Sequence, residues 1–141
     1  MRLRPRREVM HAVPPFMAAQ FITAVALGTA VGAFAGWQMA LLGAGAIGGG
    51  TAISIVISAM IWPTQHVSGW KLALVAMLAN PTMLLALLAT GIGWQCAIGR
   101  MHDFGCIASF AGALVVIICL LSVCAGLLWR WWKGRTDVMK T

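Results

Sequence analysis

Residues 9–70 read VMHAVPPFMAAQFITAVALGTAVGAFAGWQMALLGAGAIGGGTAISIVISAMIWPTQHVSGW and contain no Asp, Glu, Lys or Arg. As one α-helix, this stretch would be about 93 Å long, roughly three times the thickness of the hydrocarbon core of a bilayer. A single crossing needs only about 20 apolar residues. We therefore expect the stretch to fold back on itself and to form two membrane-spanning helices.

Proline, glycine and tryptophan indicate where this stretch begins and turns. Pro14 and Pro15 suit the first turn of a helix, where a missing N–H loses no hydrogen bond. Gly36-Trp37-Gln38 combines a flexible residue, an aromatic side chain that favours the membrane interface and a polar side chain. Pro63 opens the polar segment that follows the second helix. We predict spans at residues 16–36 and 39–62.

Two further stretches without charge, at residues 72–99 and 104–129, are each long enough for one more crossing. The whole chain is 61% hydrophobic and only 9% charged, which is too little charge for the surface of a soluble domain of this size. In lipid, backbone polar groups must be satisfied within the segment, so these spans are predicted to be helices. We predict one all-α, integral membrane domain over residues 1–141, with the last two spans at 71–95 and 104–129.

The basic residues predict the orientation of the four spans. Nine of the ten fall on one side of the predicted membrane: Arg2, Arg4, Arg6, Arg7, Lys71, Arg130, Lys133, Arg135 and Lys140. Arg100 alone falls on the other side. The positive-inside rule places both termini in the cytoplasm. We interpret the net charge of +7 as this topology signal, with attraction to the lipid bilayer, and not as a nucleic-acid-binding surface.

Glycines at intervals of four residues predict close helix packing. Span one carries Gly28, Gly32 and Gly36, and span two carries Gly45 and Gly49. Because lipid tails are as apolar as leucine, membrane helices associate through close backbone approach, which glycine permits. We expect these faces to join spans one and two, while a stripe that mediates dimerisation or contacts a partner remains the alternative.

Asn80-Pro81 lies near the middle of the third span. Proline removes a helical hydrogen bond and is expected to free the carbonyl of Met77, so that Asn80 supplies polar atoms within the membrane. Transporters build substrate sites from broken helices, although a kink satisfied by neighbouring hydroxyl groups is the commoner arrangement. The other candidates for buried polar side chains are Gln20, Thr23, Ser54 and Ser58.

The loop between spans three and four is the polar cluster in which chemistry is most plausible. Cys96 and Cys106 flank it, and Arg100, His102 and Asp103 lie inside. In an oxidising compartment the two cysteines can form a disulfide. Two alternatives remain open: a metal site that includes His102 and Asp103, at a spacing unlike standard zinc or copper sites, and two inert thiols.

The motif Arg100-Met101-His102-Asp103-Phe104-Gly105 resembles the hallmark of the YhaH-type family of uncharacterised small bacterial inner-membrane proteins. The basic segment at residues 4–8 is similar to a second hallmark of that family. The resemblance implies a multi-pass protein of a bacterial inner membrane in which Arg100, His102 and Asp103 act together. It implies no activity. Gly99 stands where the family has a second arginine, and the segment at 107–110 departs from the family pattern.

No phosphate loop, nucleophile elbow, paired carboxylate or Cys-x-x-Cys pair occurs in the chain. We therefore expect a non-enzymatic membrane protein without a cofactor, which packs with itself as a homo-oligomer or with a larger membrane complex. The alternative is a small oligomeric transporter or channel that uses Asn80-Pro81. A thiol or metal enzyme at the outer face is a third possibility.

Overall fold

The computed structural model describes residues 14–62, 67–99 and 104–139, and the regular structure of these residues is entirely α-helical. Five helices follow one another: α1 (Pro14–Ala33), α2 (Trp37–Ile61), α3 (Gly69–Leu78), α4 (Pro81–Ala97) and α5 (Phe104–Met139). Helices α1, α2 and α5 are each long and apolar enough to cross a membrane. The bent pair α3–α4 provides a fourth crossing if it is counted as one span. The predicted all-helical membrane fold is confirmed.

The connection between α1 and α2 is a tight turn of three residues. Ala35 N donates to Gly32 O at 3.0 Å, and Gly36 N donates to Ala33 O at 3.2 Å. Gly36 precedes α2 with φ at +120°, a conformation that side chains with a Cβ rarely adopt. Gly36 therefore serves the turn, and the prediction that it belongs to a helix-packing face is wrong.

Helices α1 and α2 pack closely at two of the predicted glycines. A Cβ placed on Gly28 would lie 2.9 Å from Gly43 O, and a Cβ on Gly32 would overlap the backbone of Met39 and Ala40. Gly43, which lies two residues before the predicted Gly45 on α2, makes the reciprocal contact with Gly28. The hairpin thus depends on backbone approach, as expected for helices in lipid.

Gly45 and Gly49 do not take part in this hairpin. Both are exposed, and a Cβ on either would meet no atom within 4 Å. The prediction that they join span two to span one is wrong, because the α2 face that contacts α1 carries Gly43 and Gly48 instead. A helix with glycine on several sides does not reveal from sequence which side its neighbour takes.

The third predicted span is two helices at an angle of 70° to each other. Helix α3 ends at Leu78 and α4 begins at Pro81, so Ala79 and Asn80 form the break. The last predicted span is also longer than expected. Helix α5 continues to Met139, ten residues beyond the predicted end at 129, and this extension carries Arg130, Lys133 and Arg135.

Two apolar clusters hold the bundle together. One contains Phe16, Val67, Leu72, Ala76 and Val123. The second, further along α1, contains Ala24, Ile47 and Ile118. Large apolar side chains also cover the outside of the bundle, among them Leu85 and Leu88, which are each 68% exposed. Such a surface suits a lipid environment.

Candidate functional site

Asn80 occupies the break between α3 and α4, and its side chain caps the second helix. Asn80 is 2% exposed. Its Oδ1 accepts hydrogen bonds from Thr82 N at 3.1 Å and from Met83 N at 3.2 Å. These are two of the N–H groups that a helix start leaves without partners, and in lipid no water replaces them. The Asn80 side chain thus stabilises a helix start in the interior of the bundle.

One carbonyl that the break releases belongs to Ala76. Asn80 N donates to Met77 O at 3.3 Å, so Met77 keeps a partner, contrary to the prediction. The regular helical acceptor for Asn80 N would have been Ala76 O. That oxygen instead accepts from Ser54 Oγ of α2 at 2.8 Å, and Ser54 is completely buried. Ser54, predicted as a buried polar candidate, therefore satisfies the break from a neighbouring helix.

Helix α2 approaches the break at a glycine. A Cβ on Gly50 would lie 2.6 Å from Asn80 Oδ1 and would overlap Thr82 Oγ1. The hydroxyl of Thr82 donates to Ala46 O at 2.7 Å, one helical turn earlier on α2. On the other side of the break, Asn80 Nδ2 donates to Cys119 Sγ of α5 at 3.9 Å. The broken span is thus attached to both of its neighbours by polar contacts.

The antiparallel packing of α1 brings a further polar side chain to this level. Gly126 lies against Phe16, and Ala24 shares a cluster with Ile118. Gln20 lies one helical turn from Phe16 and one from Ala24. Ser122 lies midway between Gly126 and Ile118, so Gln20 and Ser122 are at the same level of the bundle. Gln20 is 1% exposed and Ser122 is 1% exposed.

The same reasoning aligns α1 with α2. Ala24 and Ile47 share a cluster. Gln20 lies one helical turn before Ala24, and Thr51 lies one turn after Ile47, so these two residues are at the same level. Thr51 is completely buried. A layer of polar side chains therefore lies between the two apolar clusters. Its members, here called the polar layer, are Gln20, Thr51, Ser54, Asn80, Cys119 and Ser122.

Most polar atoms of this layer are satisfied within the protein. The hydroxyl groups of Thr51 and Ser122 donate to carbonyls of their own helices, at 2.7 and 2.8 Å. The exception is Gln20, whose buried Nε2 has no hydrogen-bond partner among the described residues. The members of the layer are amides, hydroxyl groups and one thiol, which are groups that take part in hydrogen bonding.

Sequence reasoning identified Asn80, Ser54 and Gln20 but missed Thr51 and Ser122 as parts of this layer, and it missed the contacts of Gly50 and Thr82 at the break. A usable signal exists on α2, where Thr51, Ser54 and Ser58 follow one face at helical spacing. Two predicted polar residues lie elsewhere. Thr23 is half-buried, and Ser58, which is buried, donates to Ser54 O within its own helix.

The cysteines at the ends of the predicted polar loop are joined. Cys96 of α4 and Cys106 of α5 form a disulfide, with their Cα atoms 5.6 Å apart. The bond occupies both sulfur atoms that the metal hypothesis requires as thiolates. Arg100, His102 and Asp103 lie outside the described residues, and the described residues contain no group of three or more metal-binding side chains.

Comparisons of the chain with protein-family models, with curated proteins and with solved structures find no match. The residues that carry the resemblance to the YhaH-type family, Arg100, His102 and Asp103, belong to the segment that the structure does not describe.

Proposed function

We propose that this chain is a non-enzymatic protein of a bacterial inner membrane that acts by associating with other membrane helices, either in a second copy or in a larger assembly. The observation that carries the proposal is the open glycine face of α2. Gly45 and Gly49 are exposed one helical turn apart, and neither contacts another part of the described chain.

This face has the features of a helix-association surface in lipid. Leu41, Leu42 and Val56 lie on the same side of α2 and are each more than half exposed. The two glycines form a shallow groove between these larger side chains, and a helix backbone can approach closely there. The glycines on the other sides of α2 already contact α1 and the break. The Gly45–Gly49 face is therefore available to a partner.

The proposed compartment and orientation rest on charge and resemblance. Nine of the ten Lys and Arg residues lie on one side of the predicted membrane, which supports cytoplasmic termini. The resemblance of residues 100–105 to the YhaH-type family supports a bacterial inner membrane.

Association is tested by substituting Gly49 and measuring energy transfer between donor-labelled and acceptor-labelled chains in phosphatidylcholine vesicles. Gly49→Leu should weaken self-association several-fold, because the leucine side chain prevents close backbone contact. Gly91→Leu is the matched control, since Gly91 of α4 is equally exposed and also contacts nothing within 4 Å.

Copurification from native membranes separates the two kinds of partner. If the wild-type chain does not self-associate but copurifies with a second protein, and the Gly49→Leu variant does not retain that protein, the chain belongs to a larger assembly. If Gly49→Leu changes neither energy transfer nor copurification, the proposal is wrong.

A small transporter or channel is the second candidate, and one observation favours it. Gln20 Nε2 lies buried in the polar layer and has no hydrogen-bond partner among the described residues. The same layer contains Asn80, which lies at the break of the bent span. An unsatisfied donor in a membrane interior is costly, and a passing polar solute would satisfy it. Solute efflux from liposomes tests this function: wild-type chain should accelerate efflux and Gln20→Leu should abolish the acceleration. Efflux equal to that of empty liposomes excludes it.

A further inference from the structure

A groove of about 630 Å³ lies beside the last turns of α5, at the end of the bundle away from the polar layer. One side is formed by α5, through Leu127, Arg130, Trp131 and Arg135 among others, and Gly69 at the start of α3 contributes to the other. The volume is in the range of small-molecule sites, roughly 300–1,000 Å³.

Two guanidinium groups line this groove. Arg130 Nη2 donates to Val67 O at 2.6 Å, which anchors the side chain, while Arg130 Nη1 has no hydrogen-bond partner among the described residues. The Arg135 guanidinium lies over the ring of Trp131, 4.1 Å from its centroid. Stacking fixes the plane of the guanidinium and leaves its N–H groups at the edge, where they suit a planar or tetrahedral oxyanion.

The N-terminus of helix α3 adds a weaker positive charge at the groove. The residue before it, Ser68, makes no side-chain capping hydrogen bond, and Gly69 is the first helical residue. The N-terminus of a helix carries a partial positive charge. Among the described residues that line the groove, the charged side chains are those of Arg130 and Arg135.

The groove also crosses from apolar to polar surroundings. Leu127 belongs to the uncharged region of α5, which ends at Trp129, and the basic residues follow within the next two turns. At about 1.5 Å per residue, the 36-residue helix is roughly 54 Å long and extends well beyond a hydrocarbon core of about 30 Å. Arg130 and Arg135 are thus expected at the height of lipid headgroups.

We propose that this groove binds the phosphate group of an anionic phospholipid, with its acyl chains along the apolar side of α5. The occupant is a membrane lipid and not a free phosphate, because the groove continues from the two guanidinium groups to Leu127 without a polar barrier. Gly134 leaves the space open, since a Cβ there would meet no atom within 4 Å.

The test uses the full chain in mixed micelles that contain equal amounts of phosphatidylcholine and phosphatidylglycerol with matched acyl chains. Native mass spectrometry gives the dissociation constant of the first bound lipid. Wild-type chain should retain phosphatidylglycerol in preference to phosphatidylcholine. Arg135→Gln should weaken that binding about tenfold, because the variant loses a charge-assisted hydrogen bond to the phosphate.

Two variants separate a defined site from general attraction. Lys133→Gln removes the same charge from an exposed residue of α5 that does not line the groove, and should weaken binding less than about twofold, because an exposed charge without a defined partner contributes little. Gly134→Leu fills the groove without changing charge and should weaken binding as strongly as Arg135→Gln. A thermal unfolding curve equal to that of wild type verifies that each variant is folded.

Four results would overturn the proposal. Equal losses in Arg135→Gln and Lys133→Gln would mean diffuse attraction to anionic lipid. Wild-type binding in Gly134→Leu would place the lipid elsewhere. Displacement of phosphatidylglycerol by an excess of inorganic phosphate would mean that the groove recognises phosphate alone. Absence of a preference for phosphatidylglycerol in the wild-type chain would equally exclude the site.

Discussion

At the scale of single residues, neighbouring glycines in one sequence run have different roles. Gly48, Gly49 and Gly50 are consecutive, yet only Gly48 and Gly50 face other helices. Gly50 admits the side chains of Asn80 and Thr82, while Gly49 is open to the surroundings. A helix turns by about 100° per residue, so adjacent positions belong to different faces.

Gly50→Ala should destabilise the protein. Its new Cβ would lie 2.6 Å from Asn80 Oδ1 and would overlap Thr82 Oγ1, so the capping side chain or the Thr82 hydrogen bond must shift. We expect the free energy of unfolding to fall by about 1–3 kcal/mol, as for other overpacked sites. Unfolding of the purified protein in mild detergent measures the change.

Gly49→Ala is the matched control for this prediction. The new methyl group meets no atom within 4 Å. Alanine is also a better helix former than glycine, by up to about 1 kcal/mol. Gly49→Ala should therefore equal or exceed the wild-type stability. Equal stability of the two variants would show that Gly50 does not lie against the break.

At the scale of elements, the broken span is stabilised by groups from three parts of the chain. Asn80 caps α4, Ser54 of α2 satisfies the carbonyl of Ala76, and Thr82 attaches α4 to Ala46. In lipid, the carbonyl of Ala76 and the first N–H groups of α4 would otherwise lack a partner. The proline alone therefore does not account for the 70° bend.

Asn80→Ala should lower stability although it removes no charge and little volume. Thr82 N and Met83 N would lose their acceptor, and the loss of a helix cap costs about 0.5–2 kcal/mol. Thr90→Ala is the control, because Thr90 lies on α4, the helix that Asn80 caps, and its hydroxyl donates to Leu87 O of that helix. Thermal unfolding of both variants should show a lower midpoint for Asn80→Ala alone. Equal midpoints would mean that the cap contributes nothing.

At the scale of the whole molecule, the disulfide and the basic residues mark opposite ends of the bundle. Cys106 lies near the start of α5, whereas Arg130 and Arg135 lie near its end. Because α5 crosses the bundle only once, these groups are separated by the whole apolar region. Disulfides persist in oxidising compartments, and basic residues favour the cytoplasmic side. The two signals are consistent with one orientation.

A reporter fused after Thr141 should therefore report the cytoplasm, and one inserted beside Arg100 should report the opposite compartment. The physical reason is the excess of basic residues at the termini. Reporters active in only one compartment give the measurement.

Thiol labelling checks the disulfide independently of the reporters. Cys96 and Cys106 should react with a maleimide only after reduction, because the disulfide holds both sulfur atoms. Labelling of Cys96 before reduction would contradict the disulfide, and a cytoplasmic reporter signal beside Arg100 would contradict the predicted orientation.

The sequence by itself determined the helical membrane fold, the turn near Gly36 and the position of the break. These features follow from local properties: the length of an apolar run, the conformational freedom of glycine and the missing N–H of proline. Cys96 and Cys106 flank one short loop, so their possible pairing was also apparent from sequence.

Only the tertiary structure decided which side chains complete the break and which glycines stay open. Ser54 and Ala76 are distant in sequence, and so are Asn80 and Cys119. Gln20 joins the polar layer only because α1 packs antiparallel to both α2 and α5. Likewise, Arg130 and Gly69 meet in one groove through the packing of α3 against α5. The rotation of each helix about its axis depends on all the helices that pack against it. A uniformly apolar span has no polar face that would specify this rotation.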